Sequence, residues 1–294
     1  MKCILCGGEK RKVLYKIGKD RIYECRACGF IFAHSQTRLT HGYYEKVYWG
    51  NPDRAFYDYY YGRKLKGLHS FYLGKIEKYL GRKGKILDVG AGLGYFVREA
   101  RKEGWMAEGI EPSEAASYFA KKSLSLNLIQ TDWEDYFPKK KFEAAAIIHT
   151  LEHVSHPVRF LKKLSGFLTR SGIILIEVPN VKAPLAKIRG KGNFDPQSHK
   201  YYFSLSTLSR ILEVAGYKVL EARTLQNQRT TLLFSIIKIK KSLRRKLEEK
   251  NQVSGKLNTI FILVGIVDNF LWPIKKLMEF FDWGEQLFVV AGKS

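Results

Sequence analysis

The chain reads as an α/β protein built on a mostly parallel sheet, and three features predict it. The apolar run Lys85-Ile-Leu-Asp88-Val stops at Gly90-Ala-Gly92-Leu-Gly94 and passes into the amphipathic stretch Tyr95 to Gly104, the pattern of strand, tight turn and helix. A second short strand, Met106 to Ile110, ends on a carboxylate in Gly109-Ile110-Glu111-Pro112-Ser113. Farther on, short apolar runs alternate with helical stretches, as a series of βαβ units requires.

Taken from the amino end, the first device is Cys3-x2-Cys6 and Cys25-x2-Cys28, each pair followed by a glycine, Gly7 and Gly29. Such paired turns supply four thiolates, and Val13 to Ile17 with Arg21 to Glu24 read as the hairpin between them, so a structural Zn2+ ribbon over residues 1–35 is expected. Four cysteines could also form disulfides, but an apolar signal segment is missing from the start of the chain, which favours a reducing compartment and a cytoplasmic location. Closed four-thiolate coordination leaves this metal no catalytic role. Residues 36–84 are an aromatic-rich helical cap, with Tyr43, Tyr44, Tyr48, Trp49 and the run Phe56 to Tyr61 ahead of the glycine turn.

At the turn, glycine permits φ > 0 and close approach of a ligand to the main chain, and an acid at the end of the second strand can accept hydrogen bonds from ribose hydroxyls. The dinucleotide fingerprint would place its third glycine at position 95, which is Tyr95. Asp88 also adds negative charge where a pyrophosphate would sit, whereas a cationic sulfonium would find it favourable.

Beyond the turn, Leu128 to Ile129 is a third short run leading into Thr131-Asp132-Trp133. Phe142 to Ile148 is a fourth strand, ending in His149-Thr-Leu-Glu152-His153-Val-Ser-His156-Pro157, and helix Val158 to Leu168 follows. Ser171 to Asn180 reads as a fifth, fully buried strand. A long connection, Val181 to Lys200, ends in Ser198-His199-Lys200-Tyr201-Tyr202-Phe203-Ser204. Loops at this edge of a parallel sheet carry substrate contacts, which makes His199 and Tyr201 candidates for an acceptor site. Ser204 or Ser206 caps a helix over Thr207 to Ala215, Gly216 ends it, and strands follow at Tyr217 to Thr224 and Glu285 to Ala291.

In order and spacing these motifs resemble the class I S-adenosylmethionine-dependent methyltransferases, in the branch acting on small molecules and sugars. The resemblance is tightest from Gly74 to Asn180 and looser from Tyr43 to Gly292. It implies a Rossmann-like sheet of seven strands, occupying 85–227 and 284–294. It also implies that Asp88, Gly90, Gly92, Gly94, Glu111, Pro112, Asp132, Trp133 and His149 surround S-adenosylmethionine, with Asp132 on the adenine amine and Trp133 lining the ring. The end of the fourth strand then faces the methyl group, where His153 is the expected base, Glu152 its orienter, and His199 a further catalytic candidate. Some ubiquinone-pathway O-methyltransferases, which this local motif also resembles, hold a divalent ion here; this chain carries His149 at the outermost of those positions. His149-x-x-Glu152-His153 also spells a metalloprotease signature, but it sits where a strand gives way to a loop rather than on a helix. Similar ribbons precede the catalytic domain in some sugar C-methyltransferases and some ribosomal RNA methyltransferases.

The 45% apolar content suits an ordinary globular core, whereas a formal charge of +23 attracts polyanions, either nucleic acid or an anionic membrane face, unless it is only a solvated basic surface. Part of that charge lies in an insertion over 228–283. Its first part is basic, with Lys238, Lys240, Lys241, Arg244, Arg245, Lys246 and Lys250; its second is apolar and Trp-containing. Asp268 and Asn269 interrupt the apolar run well short of the roughly twenty residues a spanning helix needs, so the insertion is expected to lie on a membrane surface or to pack on protein. The acceptor is therefore expected to be a small molecule or glycan, carried on a lipid in one version. RNA is the alternative, opposed by the lack of an [ND]-P-P-[YF] motif after the fourth strand, and a scaffold without catalysis is the third reading. The oligomeric state is not legible in the sequence.

Overall fold

The computed structural model describes residues 2–35, 54–226 and 283–294. Their main feature is a six-stranded mixed sheet. Its strands are β4 (Lys85–Val89), β5 (Met106–Ile110), β6 (Phe142–Ile148), β7 (Leu168–Pro179), β9 (Tyr217–Leu225) and β10 (Gln286–Lys293), in the spatial order β5-β4-β6-β7-β10-β9. The first four run parallel, and β10 pairs antiparallel with both β7 and β9. Strands covered on both faces should be almost wholly apolar, and β6 and β7 meet that need with Ala144, Ala145, Ala146, Ile147 and Ile173 to Ile176 buried. The expected third strand at Leu128 to Ile129 is a single parallel bridge, Ile110 to Ile129, so the described sheet has six strands where seven were expected.

Helices cover the sheet. The long α1 (Arg54–Leu80) lays Leu68, Tyr72, Leu73 and Ile76 into the same cluster as Ile86, Phe96 and Phe288. Next come α2 (Tyr95–Lys102), α3 (Glu114–Leu124), α4 (Pro157–Phe167), the short α5 (Pro184–Arg189) and α6 (Leu205–Val214). The α6 start resolves the two candidate caps in favour of Ser204, which forms a reciprocal capping box with Thr207.

The amino-terminal hairpin is β1 (Arg11–Ile17) and β2 (Asp20–Cys25), extended by β3 (Ile31–His34). A fourth strand, β8 (Tyr201–Tyr202), comes from the long connection and pairs with β3. The cysteine module is therefore knitted into the α/β domain rather than strung ahead of it. Cys3, Leu5, Cys25, Phe30 and Phe32 share one apolar cluster with Leu151, Val154 and Phe203.

This topology locates the ligand crevice. The chain leaves β4 for β5 on one side and returns to β6 on the other, so the sheet reverses its winding at the carboxyl end of β4. Gln226 and Trp283, which bracket the insertion, flank the end of β9 and the start of β10 at this same edge, since Gln286 pairs with both Pro179 and Leu225. The insertion expected over 228–283 otherwise lies outside the described residues, as do Tyr43, Tyr44, Tyr48 and Trp49. Among the described residues no helix is long and apolar enough to cross a membrane.

Candidate functional site

The glycine turn closes as its spacing demands. Gly90, Gly92 and Gly94 all have positive φ, at 77°, 52° and 82°. At Gly90 a side chain is excluded twice, by this conformation and by Thr150, whose Oγ1 would lie 2.5 Å from an added Cβ. Thr150 cannot easily withdraw, because its hydroxyl donates to the Val89 carbonyl at 2.9 Å. Glu111 fastens the far side: one carboxylate oxygen accepts from Gly92 N at 2.8 Å and the other from Ser113 N at 3.0 Å. Pro112 sits between those anchors, and Ser113 goes on to cap α3 through Ala116 N. Asp88 is buried one residue before the end of β4.

Asp132 and Trp133 follow the Ile129 bridge. Asp132 is exposed and caps its own turn by accepting from Glu134 N, while the Trp133 ring meets Phe160 edge-on at 5.1 Å.

At the carboxyl end of β6 a second group assembles. His149 has φ 52°, a conformation rare outside glycine, and this bend turns the chain directly into Glu152 and His153. His149 Nδ1 lies 3.3 Å from Glu152 Oε1 and its Nε2 lies 3.6 Å from Glu177 Oε1. The structure thus brings His149 to a pair of buried carboxylates. Glu177 was not foreseen, although a lone acid in the buried run of β7 must find a partner. Burial pushes the Glu152 carboxyl up, but the hydrogen bond from His149 and the nearby charges of His153, His149 and His199 outweigh it and bring it to about 2.

The orienter of His153 differs from the expectation. Its Nδ1 lies 2.7 Å from the Ser198 carbonyl, not on Glu152. A carbonyl only accepts, so Nδ1 carries the hydrogen and the neutral ring has its lone pair on Nε2. The main-chain carbonyl of Glu152 accepts from Lys200 N at 2.9 Å and Tyr201 N at 3.3 Å. His199 packs against His153 with ring centroids 4.9 Å apart. Burial holds the His199 pKa below the ordinary histidine value. Tyr201 donates its hydroxyl to the Ser155 carbonyl at 2.7 Å and stacks on Phe30. Glu152, His153 and His199 place three potential ligand atoms within 4.8 Å of one another, a set that suits a divalent ion as well as proton transfer. His149 to His153 lie in a turn, which removes the one-helix geometry a metalloprotease needs.

The third cluster is Cys3, Cys6, Cys25 and Cys28, whose sulfurs also lie within 4.8 Å of one another. The two knuckles repeat each other. Gly7 and Gly29 both have φ 71°, Gly7 N donates to the Cys3 carbonyl at 2.8 Å, and Gly29 N donates to that of Cys25 at 2.9 Å. Sulfur separations of 3.6 Å for Cys3–Cys28 and Cys6–Cys25 approach the roughly 3.8 Å edge of a tetrahedron with bonds of about 2.3 Å, so the donor set fits zinc.

Similarity to known proteins agrees with this layout. Over 101 residues the chain is 28% identical to "Ubiquinone biosynthesis O-methyltransferase" of Bradyrhizobium diazoefficiens, a match covering 33% of this chain and 40% of that protein. The match to the same-named protein of Rhodopseudomonas palustris, at 29% identity, likewise spans 40% of its length. Among solved structures, a SAM-dependent methyltransferase from Archaeoglobus fulgidus superposes with a TM-score of 0.55 at 22% identity, covering 83% of this chain and all of that one. The plantazolicin methyltransferase BpumL in complex with SAH gives 0.52 at 16% identity over 86% of this chain and 95% of its own. These two likenesses speak for the fold. The profile of the methyltransferase-domain family matches residues 57–222, which spans the glycine turn and all three histidines of the second group, His149, His153 and His199, and the chain belongs to that family.

Proposed function

We propose that the chain transfers a methyl group from S-adenosylmethionine to a small-molecule or glycan acceptor, with His153 as the proton acceptor. The observation that carries this reading is the Nδ1 contact of His153 with the Ser198 carbonyl, which fixes the tautomer a base requires beside the crevice of a methyltransferase-domain fold. The donor supplies a methyl group on a sulfonium, open to in-line displacement, so much of the protein's task is positioning. The glycine turn offers bare backbone, and Glu111, whose carboxylate accepts from Gly92 N and Ser113 N, is the acid placed beside it for the ribose hydroxyls. Asp88, Pro112, Asp132 and Trp133 complete the donor side. On the acceptor side His153 Nε2 takes the proton of the nucleophile, His199 walls the site, and buried Glu152 stabilises the imidazolium that forms. The set Glu152, His153 and His199 could alternatively hold a divalent ion that acidifies an acceptor hydroxyl; activity that survives chelation favours the base reading.

A lipid-carried glycan suits the placement of the insertion ends, since the basic and apolar 228–283 stretch departs from and returns to the crevice edge of the sheet. The protein would then work from the cytoplasmic side, in peripheral contact with anionic lipid. Incubation of cell-envelope glycolipid and total RNA fractions with enzyme and methyl-labelled donor tests this. Label is expected in the glycolipid; label confined to RNA, lost steeply with salt, would establish the RNA reading instead. We also propose that Zn2+ occupies the four thiolates with a structural role.

Glu152 supplies a pH prediction. Its folded pKa of about 2 lies below the ordinary 4.5, so its stabilisation is fully present above pH 4.5 and disappears as pH falls toward 2. Integrated over that window it amounts to about 3 kcal/mol. Glu152→Gln should therefore lower the urea midpoint near pH 6, and the gap from wild type should narrow as pH drops through 4. A gap that stays constant across this range contradicts the assignment.

A further inference from the structure

Between the cysteine module and the histidines runs one continuous set of contacts that the methyl-transfer reading does not use. Strand β3 lies between β2 and β8, with Ile31 opposite Tyr202 and Phe32 opposite Tyr201. One step farther, Ala33 N donates to the Lys200 carbonyl at 2.9 Å. The other edge of the same strap is held by the Glu152 carbonyl, which accepts from Lys200 N and Tyr201 N. Segment 198–203 is therefore clamped from two sides, by the module and by the catalytic turn, and it carries both His199 and the Ser198 carbonyl that sets the His153 tautomer.

Aromatic packing follows the same route. Phe30, next to the glycine of the second knuckle and fully buried, stacks on Tyr201 at 5.6 Å and packs on Phe203 at 5.8 Å. From the hairpin, Tyr15 meets Phe194 at 5.1 Å, Phe194 meets Tyr202 at 4.7 Å, Tyr202 meets His199 at 6.1 Å, and His199 meets His153 at 4.9 Å. The main-chain N–H groups of the glycine turn, by contrast, donate to Ile110, Glu111 and Ala91. The hydrogen bonds and ring contacts of the cysteine module thus run to the acceptor side, although its apolar cluster also includes Val89 and Ile110.

We propose that the four-cysteine module is a positioning element of the acceptor site. Metal in the thiolate cage holds β3, β3 holds the 198–203 strap, and the strap fixes His199 and the tautomer of His153. Losing the metal loosens the acceptor half while the donor half stays intact. Phe30 and the Ala33 N–H are positioning groups in this scheme and touch no substrate. The inference rests on the acceptor-site and zinc readings above.

Its test uses the full-length chain, first assayed for bound metal. Hydrogen exchange over 195–203, the 15N shifts of His153 and S-adenosylhomocysteine affinity are measured before and after stripping with a mercurial and chelator. Stripping should raise exchange in 195–203 by about tenfold or more, consistent with local rather than global opening, and should mix the His153 tautomers. Affinity for S-adenosylhomocysteine should change by less than about twofold, as expected of an uncoupled site. Unchanged exchange and tautomer after metal loss would overturn the proposal, as would parallel loss of S-adenosylhomocysteine binding. Ala33→Pro keeps all four thiolates but removes the donor to Lys200, and should reproduce the loosening with metal still bound. A strap as protected in that variant as in wild type would also overturn it. A chain that purifies without metal refutes the zinc reading alone, and Ala33→Pro then decides the positioning claim.

Discussion

His153→Ala is expected to lower methyl transfer to the labelled acceptor fraction by about 10²- to 10⁴-fold, the range that a positioned general base contributes. The hydrogen bond to the Ser198 carbonyl makes this prediction specific to one nitrogen. His153→Gln can retain a donor but has no basic lone pair, so it should be as impaired as alanine. Raising the pH should restore part of the activity of both variants, since hydroxide can take over the lost proton transfer. S-adenosylhomocysteine affinity should stay near wild type, because the donor side is built from the glycine turn and Glu111. Turnover within threefold of wild type in both variants would remove His153 from the reaction, both as base and as a ligand of any ion at Glu152, His153 and His199.

Gly90→Ala is the second large effect, and it acts on the other half of the site. Left-handed backbone costs a non-glycine residue roughly 1–2 kcal/mol, and forcing a methyl against packed neighbours typically costs about 1–3 kcal/mol more. Here the methyl would meet Thr150 Oγ1 at 2.5 Å and Cγ2 at 2.9 Å. Relief requires moving either the turn or the Thr150 bond to Val89, and the turn is the part with bare backbone on its ligand side. Donor affinity should consequently fall by about 10- to 100-fold, equivalent to roughly 1.4–2.8 kcal/mol. Adding Thr150→Ala should recover the packing part and leave the conformational part. If the double variant is no better than Gly90→Ala, the clash with Thr150 is not the cause.

How much of this was legible in the sequence follows from the range of the forces involved. The glycine turn, the strand preceding it and Glu111 were readable because φ > 0 and burial act on residue type locally. The clustering of the four cysteines was readable for the same reason, since paired Cys-x2-Cys turns have a fixed spacing. Leu128 to Ile129 was read as a strand because apolar runs of that length look alike whether they form a ladder or one bridge. The expectation of Glu152 as the orienter of His153 rests on sequence adjacency, whereas Nδ1 of His153 meets a backbone carbonyl at position 198, which carries no residue signature. Glu177 had a signal, a lone acid in an apolar strand, but its partner His149 lies just past the end of the neighbouring strand β6. Pairing of β3 with β8 left no trace at all, because Tyr201 and Tyr202 make too short a strand to show alternation.

The central claim is that the turn after β4 binds a sulfonium methyl donor. Calorimetry of the full chain with S-adenosylmethionine, S-adenosylhomocysteine and NADH tests it most directly. Saturable isotherms with the first two and none with NADH are the predicted result; a clear isotherm with NADH and no heat from either sulfur compound would contradict the account.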